Sequence, residues 1–473
     1  MHRPTAAILL AAGEGTRMKS SKAKVLHELG GTTLLARALR AVVAAGAQPV
    51  VVVVGYQAEA VKTAAASALD TLKPGFALQP QPLGTGDAAR RGLVALPERF
   101  DGDVLITYAD MPAMRAQTLS AFLGAHRRAK AALSLVTVTV DNPASYGRVV
   151  RDGSGAVAAV VEAADAGPEE LAIREVNAGV YAASVDTLRA TLGELKADNA
   201  QSQYYLTDIV GLARRRGLSV HAWACERPRE FAGINSRQEL AEVEEMLRHT
   251  VNLRLMDSGV TLIDPATAYI GEDVEIGPDT VVGPSVQIFG QSKIGARVRI
   301  EGCAWLRDVI IGDDCHLKLG VRAEQCRIGD SCEIGPFAHL RPGTELEGAN
   351  RVGNFVETKK ARLGRGTKAS HLSYLGDVLI GRETNIGCGV ITVNYDGYDK
   401  HLTQIGDRCM VGCDSQLIAP VKVGNDVYVA SGTTVRSSVS DGALAVCDHP
   451  QREKPGWTAQ WRRRHSDRGP QHD

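Results

Sequence analysis

The first residues that could do chemistry stand near the start of the chain, in Leu10-Ala11-Ala12-Gly13-Glu14-Gly15-Thr16-Arg17-Met18, with Lys24 a short way beyond. Two glycines let backbone N–H groups approach a phosphate chain, and the Arg17 guanidinium adds a fixed, planar positive fork. The third glycine of a dinucleotide fingerprint is missing, and so is the Gly-Lys-Ser/Thr ending of a P-loop. A purely structural glycine turn is the alternative. Further on, an apolar run ends in Thr107-Tyr108-Ala109-Asp110-Met111-Pro112. A carboxylate exposed at a strand tip is a natural Mg2+ ligand, because magnesium takes one or two carboxylates and leaves its other positions to substrate phosphates. An Asp-initiated turn before proline is the other reading of Asp110.

These groups need a scaffold. Apolar runs at 7–12, 50–54, 103–107 and 133–140 alternate with alanine-rich segments at 34–46, 58–69 and 85–95. That rhythm predicts a Rossmann-like α/β domain over residues 1–237 with a mainly parallel sheet, whose ligands gather at the carboxyl ends of the strands. Leu240, Val243, Met246-Leu247 and Val251 recur at helical spacing and predict an amphipathic linker helix over 238–258. From 259 to 473 the period becomes six, as in Ile270-Gly271, Ile276-Gly277, Val282-Gly283, Ile288, Ile294-Gly295 and Ile300. Neither an amphipathic helix nor an alternating strand has that period; a hexapeptide β-helix does. The aliphatic residue should fill the interior, and Gly, Asn or Asp beside it should take the left-handed corner. The beat breaks at 351–376 and 391–404, which are expected to be loops leaving the prism.

Composition narrows the class. The chain has 473 residues, too many for one ordinary core, and its 54 Lys plus Arg equal its 54 Asp plus Glu. No nucleic-acid or acidic-membrane footprint is visible. Nine cysteines form no zinc-like pair of pairs and read as reduced thiols. The run Ala6–Ala12 is short and leads straight into the glycine loop, unlike a signal peptide, and no stretch reaches membrane-spanning length. A cytoplasmic protein is expected.

The Gly13–Met18 string with Lys24 resembles the signature of sugar-1-phosphate nucleotidyltransferases, and the hexapeptide beat resembles the left-handed β-helix acyltransferases. The second half adds Ala338-His339-Leu340-Arg341-Pro342-Gly343, Asn354 to Lys360, Lys368 to Asp377, Asn385, and Asn394-Tyr395-Asp396-Gly397 ahead of Lys400. With these, nearly the whole chain resembles the bacterial bifunctional uridyltransferase/acetyltransferases. The resemblance implies acetyl transfer from acetyl-CoA to glucosamine-1-phosphate, then uridyl transfer from UTP to N-acetylglucosamine-1-phosphate, in a homotrimer using Mg2+. It assigns Arg17 and Lys24 to uridyl-transfer catalysis and Asp110 with Asn235 to the metal. Leu10, Ala11, Ala12, Gly13, Lys24, Gln79, Gly84, Thr85, Tyr108, Ala109, Asp110, Gly147, Glu162, Asn177 and Asn235 would hold UDP-N-acetylglucosamine. Arg341, Lys359, Tyr374, Asn385 and Lys400 would form the glucosamine-1-phosphate pocket, with His371 the catalytic base. Cys388, Asn394, Tyr395, Cys413, Ser431 and Asp448 would contact acetyl-CoA.

The implied chemistry asks for these types. The attacking amine must lose a proton, and histidine titrates near working pH. A sugar phosphate wants cationic partners. Against the family pattern, Ala23 replaces a proline, Pro82 and Asp87 replace Gln and His beside the Leu83–Gly86 loop, and Ala109 replaces a glycine. Ala163-Ala164 follow Glu162 where polar residues are usual, and Gln203 stands for a glutamate. Cys413, Ser431 and Asp448 replace serine, alanine and arginine, and an anion at 448 would repel coenzyme A phosphates. Arg462-Arg463-Arg464 could supply that cation, although the tail after Pro450, with Trp457 and Trp461, reads as a solvated end. Two alternatives stay open: a nucleotidyltransferase whose β-helix is only an oligomerisation scaffold, and a non-enzymatic sugar-nucleotide-binding subunit.

Overall fold

Aliphatic runs buried along their whole length set the frame of the first half. The computed structural model describes residues 3–69, 72–447 and 451–465. In chain order the strands of the first sheet are β1 (Thr5–Ala11), β2 (Val50–Val54), β3 (Gly75–Leu78), β4 (Asp103–Tyr108), β5 (Leu133–Thr139), β6 (Arg148–Arg151), β7 (Val157–Val161), β8 (Glu175–Ser184) and β9 (Val220–Ala224). Every residue of β1 and β2 is buried, as strands covered on both faces require. The order is β9-β5-β8-β4-β1-β2-β3, with β6 and β7 forming a side hairpin on β8. β1 runs parallel to β2 and β4. Helices α1 (Leu34–Ala44), α2 (Ala58–Ser67) and α3 (Thr85–Val94) stand where the sequence puts them.

Besides the side hairpin, one strand on the main path of the sheet departs from the parallel rule. β8 lies between β4 and β5 and is antiparallel to both. Its register slips between Asn177 and Tyr181, a bulge that turns the Asn177-Ala178-Gly179 segment against the end of β4. A helix then runs over Arg237–Asp257. The chain divides into two units, Met1–Arg254 with Tyr269–Glu272, and Leu255–Ala268 with Asp273–Asp473.

The second unit is a parallel β-helix of strands mostly two or three residues long. Ile276 pairs with Ile294 and Ile294 with Ile311, so these regular coils take 18 and 17 residues and have three faces. The periodic aliphatics do fill the interior: Leu306, Leu317, Ile334 and Leu340 are fully buried.

Two expectations need correction. With the exception of Gly335, at φ 94°, the glycine after the aliphatic does not make the left-handed corner. Left-handed φ values of 55–59° fall two residues later, on Asp279, Ser285, Arg297, Asp314 and Ser331. The glycines serve close stacking instead: a Cβ on Gly277 would lie 2.7 Å from the Ala296 nitrogen, and one on Gly353 would lie 1.8 Å from the Ser370 carbonyl oxygen.

Nor does 351–376 leave the prism. It forms strands Arg351–Leu363 and Lys368–Ile380, paired in parallel from Val352↔Ala369 to Leu363↔Ile380. The beat was hidden because Thr358 and Ala369 occupy interior positions; both are fully buried. The Thr358 hydroxyl meets that of Thr344 at 3.0 Å, which makes a polar interior residue tolerable. The second break is a true loop. Ile380 pairs with Ile405, a coil of 25 residues, and the excess is closed at its base by His401 N–H donating to the Asn394 carbonyl at 2.8 Å.

Candidate active sites

In the first unit, three distant segments meet at one ammonium. Asp110 follows β4, and its carbonyl accepts from the Ile234 N–H at 3.0 Å, which brings Asn235 alongside. Lys24, on a short 3-10 turn, donates from Nζ to the Asp110 carboxylate and to Asn235 Oδ1 at 3.0 Å. Among the described residues no group of three or more His, Cys, Asp or Glu stands together as a metal site. Asp110 and Asn235 already hold one cationic head between two oxygens, and such a pair fits a hard divalent ion that completes its shell with phosphate oxygens.

Around this point lies a cavity of about 270 Å³. Leu10, Ala11, Ala12, Gly13, Lys24, Gln79, Gly84, Thr85, Tyr108 and Asp110 line it, with Val25, Pro82, Ala88 and Gln203. The loop before α3 is stitched down by Tyr204, whose N–H donates to Leu83 O at 2.9 Å and whose carbonyl accepts from Gly86 N at 2.7 Å. Gly84 has φ 108°, and a Cβ there would sit 2.6 Å from the Tyr204 oxygen, so only glycine fits. Arg17 is exposed and makes no ion pair among the described residues. Ala109 is fully buried, its N–H on the Leu10 carbonyl at 3.0 Å and its methyl in the core.

Other assigned residues stand behind or beside that cavity. Asn177 donates to Tyr181 Oη at 2.7 Å and accepts from Gly179 N–H at 3.1 Å, bracing the bulge. Gly179 packs so tightly on the Tyr108 ring that a Cβ would lie 2.7 Å from it. Burial, and then the Glu162 charge, push the Tyr108 phenol above its ordinary range. Glu162 accepts from Thr207 Oγ1 at 3.0 Å; burial raises its carboxyl, and Asp208 and Asp165 add repulsion. It lines a second cavity of about 940 Å³ with Asp165, Asp198 and Asp208, not the first. Gly147 lies against Val160 and Glu162, where a Cβ would be 2.9 Å from Val160 Cγ1 and 3.6 Å from the Glu162 carboxyl.

In the second unit the coil register creates a line of functional groups. Asn354 pairs with His371, Ala369 with Ile386, Ile386 with Val411, and Val411 with Val429. These pairings stack Asn354, His371, Cys388, Cys413 and Ser431 on one corner of five successive coils. At the usual strand spacing that line is about 19 Å long. His371, Cys388, Cys413 and Ser431 are all exposed. His371 Nδ1 lies 3.0 Å from Asn354 Oδ1; an amide oxygen there calls for a proton on Nδ1 and leaves the Nε2 lone pair outward.

Cations flank the line. Arg341 Nη1 donates to Glu357 Oε1 at 2.7 Å, and Glu357 pairs in register with Tyr374. Lys359 faces Lys400 on the extruded loop, and this neighbouring ammonium, followed by burial and Arg341, lowers the Lys359 pKa. Asn385 Nδ2 sits 3.2 Å from Met410 Sδ. Asn394 donates to the Asp377 carboxylate, and Tyr395 Oη donates to the Gly397 carbonyl at 2.6 Å. Asp448 lies outside the described residues.

Comparison with known proteins covers both units. Residues 7–196 match the MobA-like NTP transferase domain, 265–341 the GMPPB C-terminal domain, and 402–437 the bacterial transferase hexapeptide repeats. The chain is 47% identical to the Bifunctional protein GlmU of Pelobacter propionicus, over 96% of this chain and 97% of that one. Identity is 45% to the Bifunctional protein GlmU of Trichlorobacter lovleyi, over 96% and 98% of the two chains. It is 45% to that of Mycolicibacterium vanbaalenii, over 97% and 94%. The chain belongs to the bifunctional GlmU family.

Set within the GlmU family, the side chains that the sequence left without roles stand out. Asp87, noted only as a substitution, accepts from Gln79 Nε2 at 2.9 Å and from Arg91 Nε at 2.8 Å. The Asp87-x-x-x-Arg91 spacing on a helix was the available signal. Asn354 and Glu357 lie inside runs that drew notice for other residues, but their partners His371 and Arg341 sit on neighbouring coils, 17 and 16 residues away, and only the coil register reveals them. Thr207 carried no signal at all.

Proposed function

We propose that this chain makes UDP-N-acetylglucosamine in two steps, one in each unit. In the first step the amine of glucosamine-1-phosphate takes the acetyl group of acetyl-CoA, in the repeat unit. In the second, a phosphate oxygen of N-acetylglucosamine-1-phosphate attacks the α-phosphorus of UTP and pyrophosphate leaves, in the nucleotidyltransferase unit. The match to the Bifunctional protein GlmU of Pelobacter propionicus carries this reading, because its 47% identity runs through both units.

For acetyl transfer, Arg341, Lys359 and Lys400 hold the sugar phosphate, while Tyr374 and Asn385 orient the ring. His371 Nε2 takes the proton from the amine as it attacks. Acetyl-CoA lies along the corner of Cys388, Cys413 and Ser431, with Asn394, Tyr395 and Asp448 beside it. Two functional rows on an open face support an acetyl site completed by a neighbouring copy in a homotrimer. For uridyl transfer, Gln79, Gly84, Thr85 and the Leu10–Gly13 segment hold the nucleotide, and Tyr108, Ala109, Gly147, Glu162 and Asn177 the sugar side. Arg17 and Lys24 face the triphosphate. Asp110 and Asn235 hold Mg2+, which when bound neutralises phosphate charge. The working division is 1–237, 238–258 and 259–473, in a cytoplasmic enzyme.

Separate assays on the purified protein test the reading. Free thiol should appear from acetyl-CoA only when glucosamine-1-phosphate is added, and pyrophosphate should appear from UTP only with N-acetylglucosamine-1-phosphate and Mg2+. Pyrophosphate release without any thiol release would leave a nucleotidyltransferase on a β-helix scaffold.

A further inference from the structure

We propose that Asp87, clamped by Arg91, selects the nucleotide base by fixing which end of the Gln79 amide faces the cavity. The inference rests on the uridyl-transfer reading above. Gln79 and Asp87 are both buried, at 7% and 6% exposure. Gln79 Nε2 donates to the Gly84 carbonyl at 3.0 Å and to Asp87 Oδ2 at 2.9 Å. Both partners only accept: one is a backbone carbonyl, and the other is a carboxylate held by Arg91 Nε at 2.8 Å. Reversing the amide would press its oxygen against two other oxygens. The amide orientation is therefore dictated by its partners rather than free.

With both N–H bonds turned to the loop, Oε1 is the polar atom Gln79 has left for the cavity it lines. Among the described residues Oε1 accepts no hydrogen bond. A fixed acceptor suits the N3–H of uracil. Cytosine presents a lone pair at that same ring position, and two acceptors facing each other in a closed site are repelled. Pro82, on the same wall, offers no side-chain hydrogen bond to either base. Gln203 is the other amide there, and its bonds to Asn199 run through its backbone, which leaves its side chain free to present either end. Discrimination thus falls to Gln79, and its direction to Asp87. A histidine at position 87 would have no fixed acceptor charge, so this clamp belongs to the substitution this chain carries.

The test compares kcat/KM for UTP and CTP with N-acetylglucosamine-1-phosphate and Mg2+. The parent should favour UTP strongly. In Asp87→Ala the amide can turn, and the UTP-to-CTP ratio should fall roughly 10- to 100-fold. Arg91→Met, at the half-exposed outer end of the clamp, should lower the ratio by a smaller factor and serves if the first variant folds poorly. Asp87→Asn keeps an acceptor oxygen and should retain most of the preference. Acetyl transfer and melting temperature report folding. A ratio unchanged in folded Asp87→Ala or Arg91→Met, or UTP and CTP rates falling by one common factor, overturns the clamp. A parent that transfers no uridyl group from UTP overturns instead the function on which it stands.

Discussion

The two candidate centres treat positive charge in opposite ways. Lys24 ends between Asp110 and Asn235, so its ammonium is balanced before any ligand arrives. Lys359 ends beside Lys400, whose ammonium lowers the Lys359 pKa. The scaffolds explain the contrast. In the α/β unit, segments far apart in sequence converge at strand ends and enclose a cavity, where a lone cation would be costly to desolvate. In the β-helix, the loop that leaves the prism brings Lys400 against Lys359 on an open face, where water screens both. One centre is organised around an ion; the other holds repelling cations that a phosphate would relieve.

Breaking the balanced centre should have the largest effect. Asp110→Asn keeps the shape but removes the charge that Lys24 and the metal share. Pyrophosphate release should fall about 10³- to 10⁵-fold, the span seen when a charge-neutralising group is lost from phosphoryl transfer. Acetyl transfer should stay within about twofold in the same preparation, since its residues belong to the other unit. Loss of both activities with an unchanged melting curve would sink the separation of the two centres.

The open centre should respond next to His371→Ala. Acetylation should drop about 10²- to 10⁴-fold, while uridyl transfer to supplied N-acetylglucosamine-1-phosphate survives. The parent's acetylation rate should rise with pH and level off, and the variant should lose that step. A variant that keeps the parent's pH profile would remove His371 from proton transfer and leave it a packing residue over Asn354.

How far these centres were legible in the sequence depends on what positions them. The period of six announced the β-helix because the aliphatics of each coil face one narrow interior; it failed at 351–376, where Thr358 and Ala369 replaced the expected large apolar residues. The parallel strands were legible as continuous apolar runs. β8 was not read as antiparallel, because direction is set by where the chain re-enters the sheet and leaves no mark on side-chain pattern. Residues that touch the cavity directly, such as Gly84, Tyr108 and Asp110, were recognisable from local strings. Asp87, Asn354 and Glu357 act through a partner a helical turn or a coil away, and that geometry exists only after folding.

Arg17→Ala should give a smaller effect on the first centre. Its guanidinium is exposed and unpaired among the described residues, so it is free to follow charge that builds during transfer. Turnover should fall about 10- to 100-fold, with a lesser change in KM for UTP. An effect confined to KM would make Arg17 an anchor for the bound triphosphate.

The smallest effect sharpens the contrast most. The Lys400 ammonium is the chief cause of the lowered Lys359 pKa. Between that lowered value and the ordinary lysine value of about 10.4, the unfolded chain binds a proton that the folded chain has released. Stability of the parent should therefore rise with pH across this window. Lys400→Met removes the repulsion, so Lys359 titrates nearer its ordinary value and the rise should vanish. Without ligand at neutral pH the variant should melt slightly above the parent, and the gap should close as pH climbs through the lowered pKa. Added salt should shrink the gap as well, because water and ions reach both lysines. Glucosamine-1-phosphate should reverse the order, stabilising the parent, which offers its phosphate two cations, more than the variant, which offers one. Melting temperatures measured against pH, at low and high salt, decide the matter. A gap that widens with pH would mean the two ammonium groups do not oppose each other, and the second centre would then be as balanced as the first.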